Sequence, residues 1–367
     1  MANRYWVGGA GTWDTTTTTN WSATSGGAGG ASAPTSTDAV FFNANSGSGT
    51  VSTSTDYVQC LSLTCTGFTG IIDCTGFSIS SYGNVTLSSG GTYTALVLTI
   101  LDVCTLTSVG KHIAYLYIGG YGTGNANLTL ADDLYCGVVG DFGSFGFFDG
   151  TINANNKNVS CSGFYSIDLG STRTLNMGSG TWTIFGDGTG GVGVGDCGWM
   201  CLASSDVTNM TINCNTSTIN CTPPAGGITF FDSQNKTYYN LNMGSANGTL
   251  AFENRTTYNF NTISTSAQPC TLTFYAGRTY TVTNFNASGT AGNLVTLQST
   301  TSGTQFTLSK ASGTVSRDYL SIKDSAATGG AAWYAGANST NVSNNSGWTF
   351  TAPPAPSAGN GNFLVFF

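Results

Sequence analysis

Short stretches of alternating apolar and polar residues recur along most of this chain, separated by turns of Gly, Asn, Ser and Thr. Six of them begin at residues 84, 127, 209, 294, 306 and 319 and read NVTLSS, NLTLAD, NMTINC, LVTLQS, FTLSKA and YLSIKD. A period of two is the pattern of a β-strand with one buried face. The repeats therefore restrict the chain to an all-β fold built from many short strands.

The spacing of these stretches favours a solenoid over a sandwich. The late stretches start 12 or 13 residues apart, whereas 23 residues separate Thr151 from Thr174 earlier in the chain. Antiparallel hairpins would need repeated Asn-Gly or Asp-Gly turns, which are sparse, while a β-helix tolerates variable turns. We predict a right-handed parallel β-helix in which each coil pairs with the coils above and below it.

Composition agrees with a folded, weakly charged solenoid. The 367 residues include 51 glycines, only 7% are charged, and 40% are hydrophobic, which is too apolar for typical disorder. Inward positions are expected to stack Val, Leu, Ile, Phe and Cys. Outward positions are expected to carry ladders of Thr, Ser and Asn.

A solenoid exposes sheet edges at both ends, so each end requires a cap. Trp6, Trp13 and Trp21 lie in irregular sequence near the start, and Trp333 and Trp348 lie near the end. We predict three parts: an irregular Trp-rich N-terminal cap or attachment segment over 1–45, the parallel β-helix over 46–350, and a short C-terminal tail over 351–367.

Both end segments resemble a known group of proteins. The stretch NRYWVGGAGTWDTTTTTNW, from residue 3, resembles the start of uncharacterised β-helical proteins of bacteriophage virions. The stretches TLTFYAGRTYTVTNFNASG, from 271, and WYAGANSTNVSNNSGW, from 333, resemble C-terminal coils that these share with some bacterial surface proteins. The resemblance implies a non-enzymatic structural protein of the virion, made in the host cytoplasm: a tail fibre, spike or capsid appendage acting in assembly and host attachment.

Two other functions remain open on the sequence. The first is a glycan-degrading tailspike enzyme, which would need two carboxylates about 5 to 10 Å apart. The second is a bacterial surface adhesin, or a self-assembling extracellular filament subunit, located at the cell surface or outside the cell.

The densest acidic stretch is the candidate glycan-facing loop. It runs from 131 to 150 and contains four aspartates among phenylalanines: Asp132, Asp133, Asp141 and Asp149. Carboxylates beside aromatic rings could bind sugars. The alternative interpretation, which we favour, is that the aspartates close turns while the phenylalanines fill the core.

The apolar C-terminal strip is the candidate assembly site. It follows a Pro- and Gly-rich tether and consists of Phe363, Leu364, Val365, Phe366 and Phe367. Burying these side chains could contribute roughly 5 to 10 kcal/mol before ordering costs. We predict that the strip docks on another copy or another virion protein rather than on its own rod. The expected partners are other copies of this chain and other virion proteins, and a host-surface glycan is a further candidate. A trimer is assumed by analogy with other fibres and spikes.

No catalytic residue, cofactor or metal site is predicted. His112 is the only histidine and is assigned to a turn, and the glycine-rich stretch 186–199 is a single imperfect copy of a calcium-binding repeat. The eleven cysteines include no CxxC pair, which favours buried free thiols.

Nucleic acid and membranes are not expected partners. The ten Lys and Arg residues are scattered and the net charge is −7, so the sequence has no cluster of cations that could bind the phosphates of a nucleic acid. The start of the chain has no apolar region typical of a secretion signal. The longest apolar run, ALVLTILDV at 95–103, is too short to span a bilayer and is predicted to be one buried strand.

Overall fold

The computed structural model describes residues 1–53, 57–75, 77–120, 125–137, 144–186, 198–200 and 209–355. These contain forty short strands and one 3-10 turn, Ala44–Ser46. The prediction of an all-β chain is confirmed. No helix in these ranges is long and apolar enough to cross a membrane.

The first twenty strands lie between the N-terminus and residue 161. They are β1 (Asn3–Trp6), β2 (Gly11–Trp13), β3 (Trp21–Ser22), β4 (Ala39–Phe41), β5 (Thr50–Thr53), β6 (Val58–Cys60), β7 (Ser62–Thr64), β8 (Ile71–Asp73), β9 (Ile79–Ser81), β10 (Val85–Thr86), β11 (Thr92–Thr94), β12 (Val97–Ile100), β13 (Val103–Thr107), β14 (His112–Ile113), β15 (Tyr115–Ile118), β16 (Asn127–Leu130), β17 (Leu134–Cys136), β18 (Phe145–Phe147), β19 (Gly150–Asn153) and β20 (Val159–Cys161).

The remaining twenty strands follow between residues 164 and 349. They are β21 (Phe164–Ser166), β22 (Arg173–Asn176), β23 (Thr181–Ile184), β24 (Gly198–Trp199), β25 (Met210–Asn213), β26 (Thr218–Cys221), β27 (Ile228–Phe231), β28 (Thr237–Met243), β29 (Thr249–Phe252), β30 (Tyr258–Thr265), β31 (Cys270–Phe274), β32 (Thr279–Asn286), β33 (Val295–Ser299), β34 (Phe306–Ser309), β35 (Thr314–Ser316), β36 (Leu320–Lys323), β37 (Ser325–Thr328), β38 (Ala332–Tyr334), β39 (Thr340–Ser343) and β40 (Trp348–Thr349).

These strands form five sheets that run along the rod. Sheet 1 has thirteen strands in the order β39-β36-β33-β31-β29-β27-β24-β21-β18-β15-β12-β9-β6, and sheet 2 has ten in the order β25-β22-β19-β16-β13-β10-β7-β4-β1-β3. Sheet 3 has ten strands, β14-β17-β20-β23-β26-β28-β30-β32-β34-β37, sheet 4 has β11-β8-β5-β2, and sheet 5 has β35-β38-β40. Neighbours in sheet 1 come from successive coils and are parallel, as in the pairs Val58 with Ile79 and Cys270 with Val295. The parallel β-solenoid is confirmed, with about 12 turns.

Side chains that point inward form columns from coil to coil. One column pairs Ile113 with Cys136, Cys136 with Cys161, Cys161 with Ile184, and Ile184 with Cys221. All five side chains are buried. The small thiols fill core positions, as the sequence predicts, and the nine described cysteines are free thiols.

Later coils fill the core with stacked rings. Phe274 lies between Phe252 and Phe306, with ring centroids 4.9 Å and 4.2 Å away and rings close to parallel. Tyr258 and Tyr280 stack in the same way at 4.3 Å. Such pairs contribute beyond their buried area, by about 0.5 to 1.5 kcal/mol each.

Outward amides form the predicted ladders. Asn242 donates from its side-chain amide to Oδ1 of Asn220 in the preceding coil at 2.7 Å. Its own Oδ1 accepts from Oγ of Ser264 in the next coil at 2.8 Å. Another rung joins Asn213 to Asn176 at 2.7 Å. These hydrogen bonds join uncharged side chains and stabilise the register between successive coils.

The two ends of the rod differ. At the start, β3 pairs antiparallel with β1, and Trp6, Trp13 and Trp21 are fully buried around Phe42. At the other end, all four residues of the last sheet 1 strand, β39, are exposed. The N-terminal end is therefore covered by side chains, whereas β39 presents an open edge.

The core also contains a buried cation that the sequence did not indicate. Arg173 begins β22 and its side chain is fully buried; one guanidinium nitrogen is 3.5 Å from Oδ2 of Asp168, and another donates to Oγ of Ser166 at 2.6 Å. A buried guanidinium needs such partners because desolvation of a charge costs several kcal/mol.

The apolar run at 95–103 is not a single strand, so that prediction is wrong. It contains β12, a corner at Leu101 and Asp102, and the start of β13. The chain turns between two sheets inside the run: Ile100 before the corner is buried, whereas Val103 after it is exposed.

Candidate binding groove

Three long strands bend at the same position. In sheet 3, Tyr238 of β28 pairs with Phe260 of β30, and pairing resumes only at Asn240 with Thr262. The same interruption occurs between β30 and β32. At each bend two consecutive side chains lie between buried ones, so the strand passes from one side of the coil to the next without a loop.

The outer surface of these bends forms a groove. Its volume is about 600 Å³, and its lining residues are Cys214, Thr237, Tyr238, Tyr239, Asn259, Phe260, Asn261, Thr281, Val282, Thr283, Lys310, Ala311 and Ser312. They come from five successive coils, which at about 4.8 Å per coil gives a length of roughly 19 Å along the rod. The outward residues are hydroxyls, amides and one phenol.

The groove has little charge. Of its lining residues only Lys310 is charged, and its ammonium group donates to the main-chain oxygen of Thr283. At the other end the half-buried thiol of Cys214 lies 3.6 Å from the carbonyl oxygen of Thr237. Burial raises the pKa of this thiol. The described residues of the groove can therefore offer hydrogen bonds and a ring face, but no carboxylate.

A second surface feature lies on sheet 1, in earlier coils. Tyr117, Phe148 and Tyr165 are half-buried and close to one another, with centroids of neighbouring rings 6.0 Å and 5.7 Å apart. They cover Gly146, where an added Cβ would lie 2.8 Å from the phenol oxygen of Tyr165 and 2.9 Å from ring atoms of the other two. We call these three rings the aromatic surface cluster.

Two of the predicted glycan-facing aspartates stabilise turns. Asp132 accepts hydrogen bonds from the backbone nitrogens of Ser108 at 2.9 Å and Val109 at 2.6 Å, in the preceding coil. Asp133 accepts from the backbone and side-chain nitrogens of Asn158, in the following coil, at 2.9 Å and 3.0 Å. These bonds lower the pKa of Asp133.

Asp149 is not brought into a site with Asp132 and Asp133. Asp149 is buried and follows β18, at a different corner of the coil from Asp132 and Asp133. Asp141 lies outside the described residues. Phe145 and Phe147 belong to the core, and only Phe148 reaches the surface. This placement favours the interpretation that the acidic stretch closes turns.

The remaining residues considered in the sequence are His112, the possible metal ligands, the C-terminal strip and the glycine-rich stretch. His112 is not in a turn, so that assignment is wrong; it begins β14, where it packs against Tyr135 with ring centroids 4.8 Å apart. No three His, Cys, Asp or Glu side chains within the described ranges are placed to hold a metal ion. The strip Phe363, Leu364, Val365, Phe366 and Phe367 lies outside the described residues, and so do residues 187–197 of the glycine-rich stretch.

Sequence reasoning missed the groove. The relevant signal is a pair of adjacent polar or aromatic residues between apolar ones, as in Tyr239 and Asn240 between Tyr238 and Leu241. A pair of the same type, Asn261 and Thr262, occurs 22 residues later between Phe260 and Ile263. This recurrence could have identified a repeated bend.

No protein-family model matches the chain, and neither a curated protein nor a solved structure matches it.

Proposed function

We propose that the protein is a rigid, non-enzymatic structural and attachment component of a bacteriophage particle, such as a tail fibre, a spike or a capsid appendage. Sheet 1 is the observation that carries the proposal. Its thirteen strands join the coils from Val58 to Ser343 into one parallel lattice. A rod of this kind is suited to hold a binding surface at a fixed distance from its anchor.

The surface chemistry supports attachment rather than catalysis. Asp132 and Asp133 hold neighbouring turns, Asp149 is buried at another corner, and the described lining of the groove contains no carboxylate. A glycosidase would need two carboxylates facing one sugar linkage. The resemblance of both end segments to β-helical virion proteins supports a place in the particle, with synthesis in the host cytoplasm.

Mass spectrometry of gradient-purified particles of the phage that encodes this chain tests the proposal. We expect the protein to co-purify with the major capsid and tail proteins in a fixed copy number per particle. Its recovery only from bacterial envelopes would overturn the proposal in favour of a bacterial surface adhesin.

A self-assembling filament subunit is a second candidate, and the exposed edge of β39 favours it. In this proposal the strip from Phe363 to Phe367 contributes to the contact between copies. Analytical ultracentrifugation of the full chain and of a variant lacking residues 357–367 separates the candidates. Fibres that grow with concentration and require the strip support the filament; a closed oligomer such as a trimer supports the virion component.

A further inference from the structure

We propose that the groove across β28, β30 and β32 binds a linear polysaccharide and does not cleave it. This inference rests on the proposed attachment function and names the class of ligand. It concerns a different surface from the aspartates considered in the sequence.

The repetition of the groove favours a polymer. Thr237, Asn259 and Thr281 are paired in register, and Tyr239, Asn261 and Thr283 follow two residues later in the same strands. Hydroxyl and amide side chains therefore recur at the coil spacing of about 4.8 Å, and the ring of Tyr239 stands at the same position in β28. This spacing is comparable to the length of one sugar unit in an extended chain. A ligand with its own repeat can make equivalent contacts at each coil.

The chemistry of the lining fits sugar hydroxyls. Threonine hydroxyls and asparagine amides both donate and accept hydrogen bonds, as sugar hydroxyls do. Tyr239 is half-buried and presents a ring, and rings of this type have an apolar face and a polar tip. Thr237, Thr281 and Thr283 are exposed and available to a ligand.

Other polymers fit the groove less well. A nucleic acid would need several neighbouring cations, and Lys310 is the single charged residue of the lining. An extended peptide that adds a strand would need a free sheet edge, but the middle strand of the groove, β30, is paired with β28 on one side and with β32 on the other.

The described residues of this lining include no carboxylate, so a bound chain meets there neither the carboxylic acid nor the carboxylate nucleophile of a glycosidase. A polysaccharide would therefore be held intact. Incubation should leave its length distribution unchanged on size-exclusion chromatography.

The test uses the full chain on an array of immobilised linear polysaccharides: cellulose and xylan oligomers, alginate, polygalacturonate, hyaluronan and bacterial capsular polysaccharides. The affinity for each binding member is then measured by calorimetry. We expect Tyr239→Ala, which removes the ring from the groove, to weaken binding roughly tenfold or more. The matched control is Tyr57→Ala, an exposed tyrosine at the early end of the rod, which should bind normally.

A second readout does not depend on the substitution. Cys214 lines the groove and is only half-buried, so its alkylation by iodoacetamide can be followed on its own peptide by mass spectrometry. Saturating polysaccharide should slow this alkylation several-fold, whereas a non-binding polysaccharide should not.

The inference is overturned if no array member binds, if Tyr239→Ala binds as well as Tyr57→Ala, or if Cys214 is not protected. Binding that survives Tyr239→Ala but is lost in Tyr117→Ala would assign the ligand to the aromatic surface cluster and also overturn it. Failure of the proposed function is seen separately, as absence of the protein from purified particles.

Discussion

The early and late coils use one lattice but turn their corners differently. In the early coils, from β4 to β24, each coil consists of short strands in three sheets joined by separate turns. In the late coils, β28, β30 and β32 are seven or eight residues long and continue through one corner as a bent strand. The comparison shows that a bent corner places polar side chains of successive coils next to one another, although the early coils also form a groove, of about 370 Å³, without such a corner.

The cores differ as well. Among the described residues, the early coils contain six buried thiols, at Cys60, Cys65, Cys74, Cys104, Cys136 and Cys161, and aliphatic columns such as Ile79, Leu98 and Leu116. The late coils, from β28 onwards, contain one buried thiol, Cys270, and the ring stack around Phe274. Large rings also occur in the early coils, where Phe164 packs against Trp182 and Trp199, so the two cores differ mainly in their number of buried thiols.

The largest expected effect comes from removing the central ring of the late stack. Phe274→Ala leaves a cavity between Phe252 and Phe306 and should lower the free energy of unfolding of the late coils by about 3 to 5 kcal/mol. Hydrogen exchange of peptides from 249–309 measures the change locally. The neighbouring outward substitution Thr273→Ala is the control; equal effects of the two would refute the ring stack as the source of stability.

A slightly smaller loss is expected in the early coils when the buried cation loses its partner. Asp168→Ala leaves the guanidinium of Arg173 without its carboxylate and should cost about 3 kcal/mol. Urea denaturation monitored by fluorescence measures this loss. Asp102→Ala removes an exposed turn carboxylate and should cost less than about 1 kcal/mol. An Asp168→Ala variant as stable as the unchanged protein would show that Ser166 and other contacts are enough to stabilise the buried guanidinium of Arg173.

Alkaline pH should loosen the early coils first. Burial raises the pKa of Cys60, Cys65 and Cys136 from 9.0 to about 12, so these thiols stay protonated in the fold but ionise above about pH 9 once unfolded. Their contribution to stability is therefore complete below pH 9 and is lost as the pH rises towards 12.

Hydrogen exchange at pH 8 and pH 10, each corrected for the intrinsic exchange rate, measures this loss. Peptides from 58–107 should lose more protection than peptides from 279–309. A variant in which Cys60, Cys65 and Cys136 are replaced by alanine should show a smaller difference between the two pH values. Equal loss at both ends of the rod would contradict the prediction.

The smallest expected effect concerns the outward amide ladder of the late coils. Asn242→Ala removes the hydrogen bonds to Asn220 and Ser264 and should lower the free energy of unfolding by about 1 to 2 kcal/mol. The loss is small because hydrogen bonds to water replace each of them. Thr105→Ala in the early coils should cost less than about 0.5 kcal/mol. The melting temperatures of the two variants measure these losses. Equal melting temperatures would mean that the amide ladder does not stabilise the coils.

Much of the fold was predictable because strands with one buried face keep a period of two. The stretches at 127, 306 and 319 coincide with β16, β34 and β36. Corners were harder to predict, since the apolar run at 95–103 continues through one of them. Apolar residues lie on both sides of this corner although one of them, Val103, is exposed, so the hydrophobic pattern does not reveal the corner.

The site was less predictable than the fold. The aspartates at 132 and 133 drew attention as rare charges, yet they accept backbone hydrogen bonds of neighbouring coils. The groove uses common Thr and Asn residues, which do not stand out in a chain rich in them. Its position depends on the register between β28, β30 and β32, and pairing between coils is a long-range property that a local pattern does not specify.

The most direct test of the central claim, that the bent strands of the late coils form the binding surface, is hydrogen exchange of the full chain with and without a polysaccharide that it binds. We expect added protection in peptides covering 237–243, 259–265 and 279–286, with residues 103–166 unchanged. Protection confined to 103–166, or no change at saturation, would contradict the account.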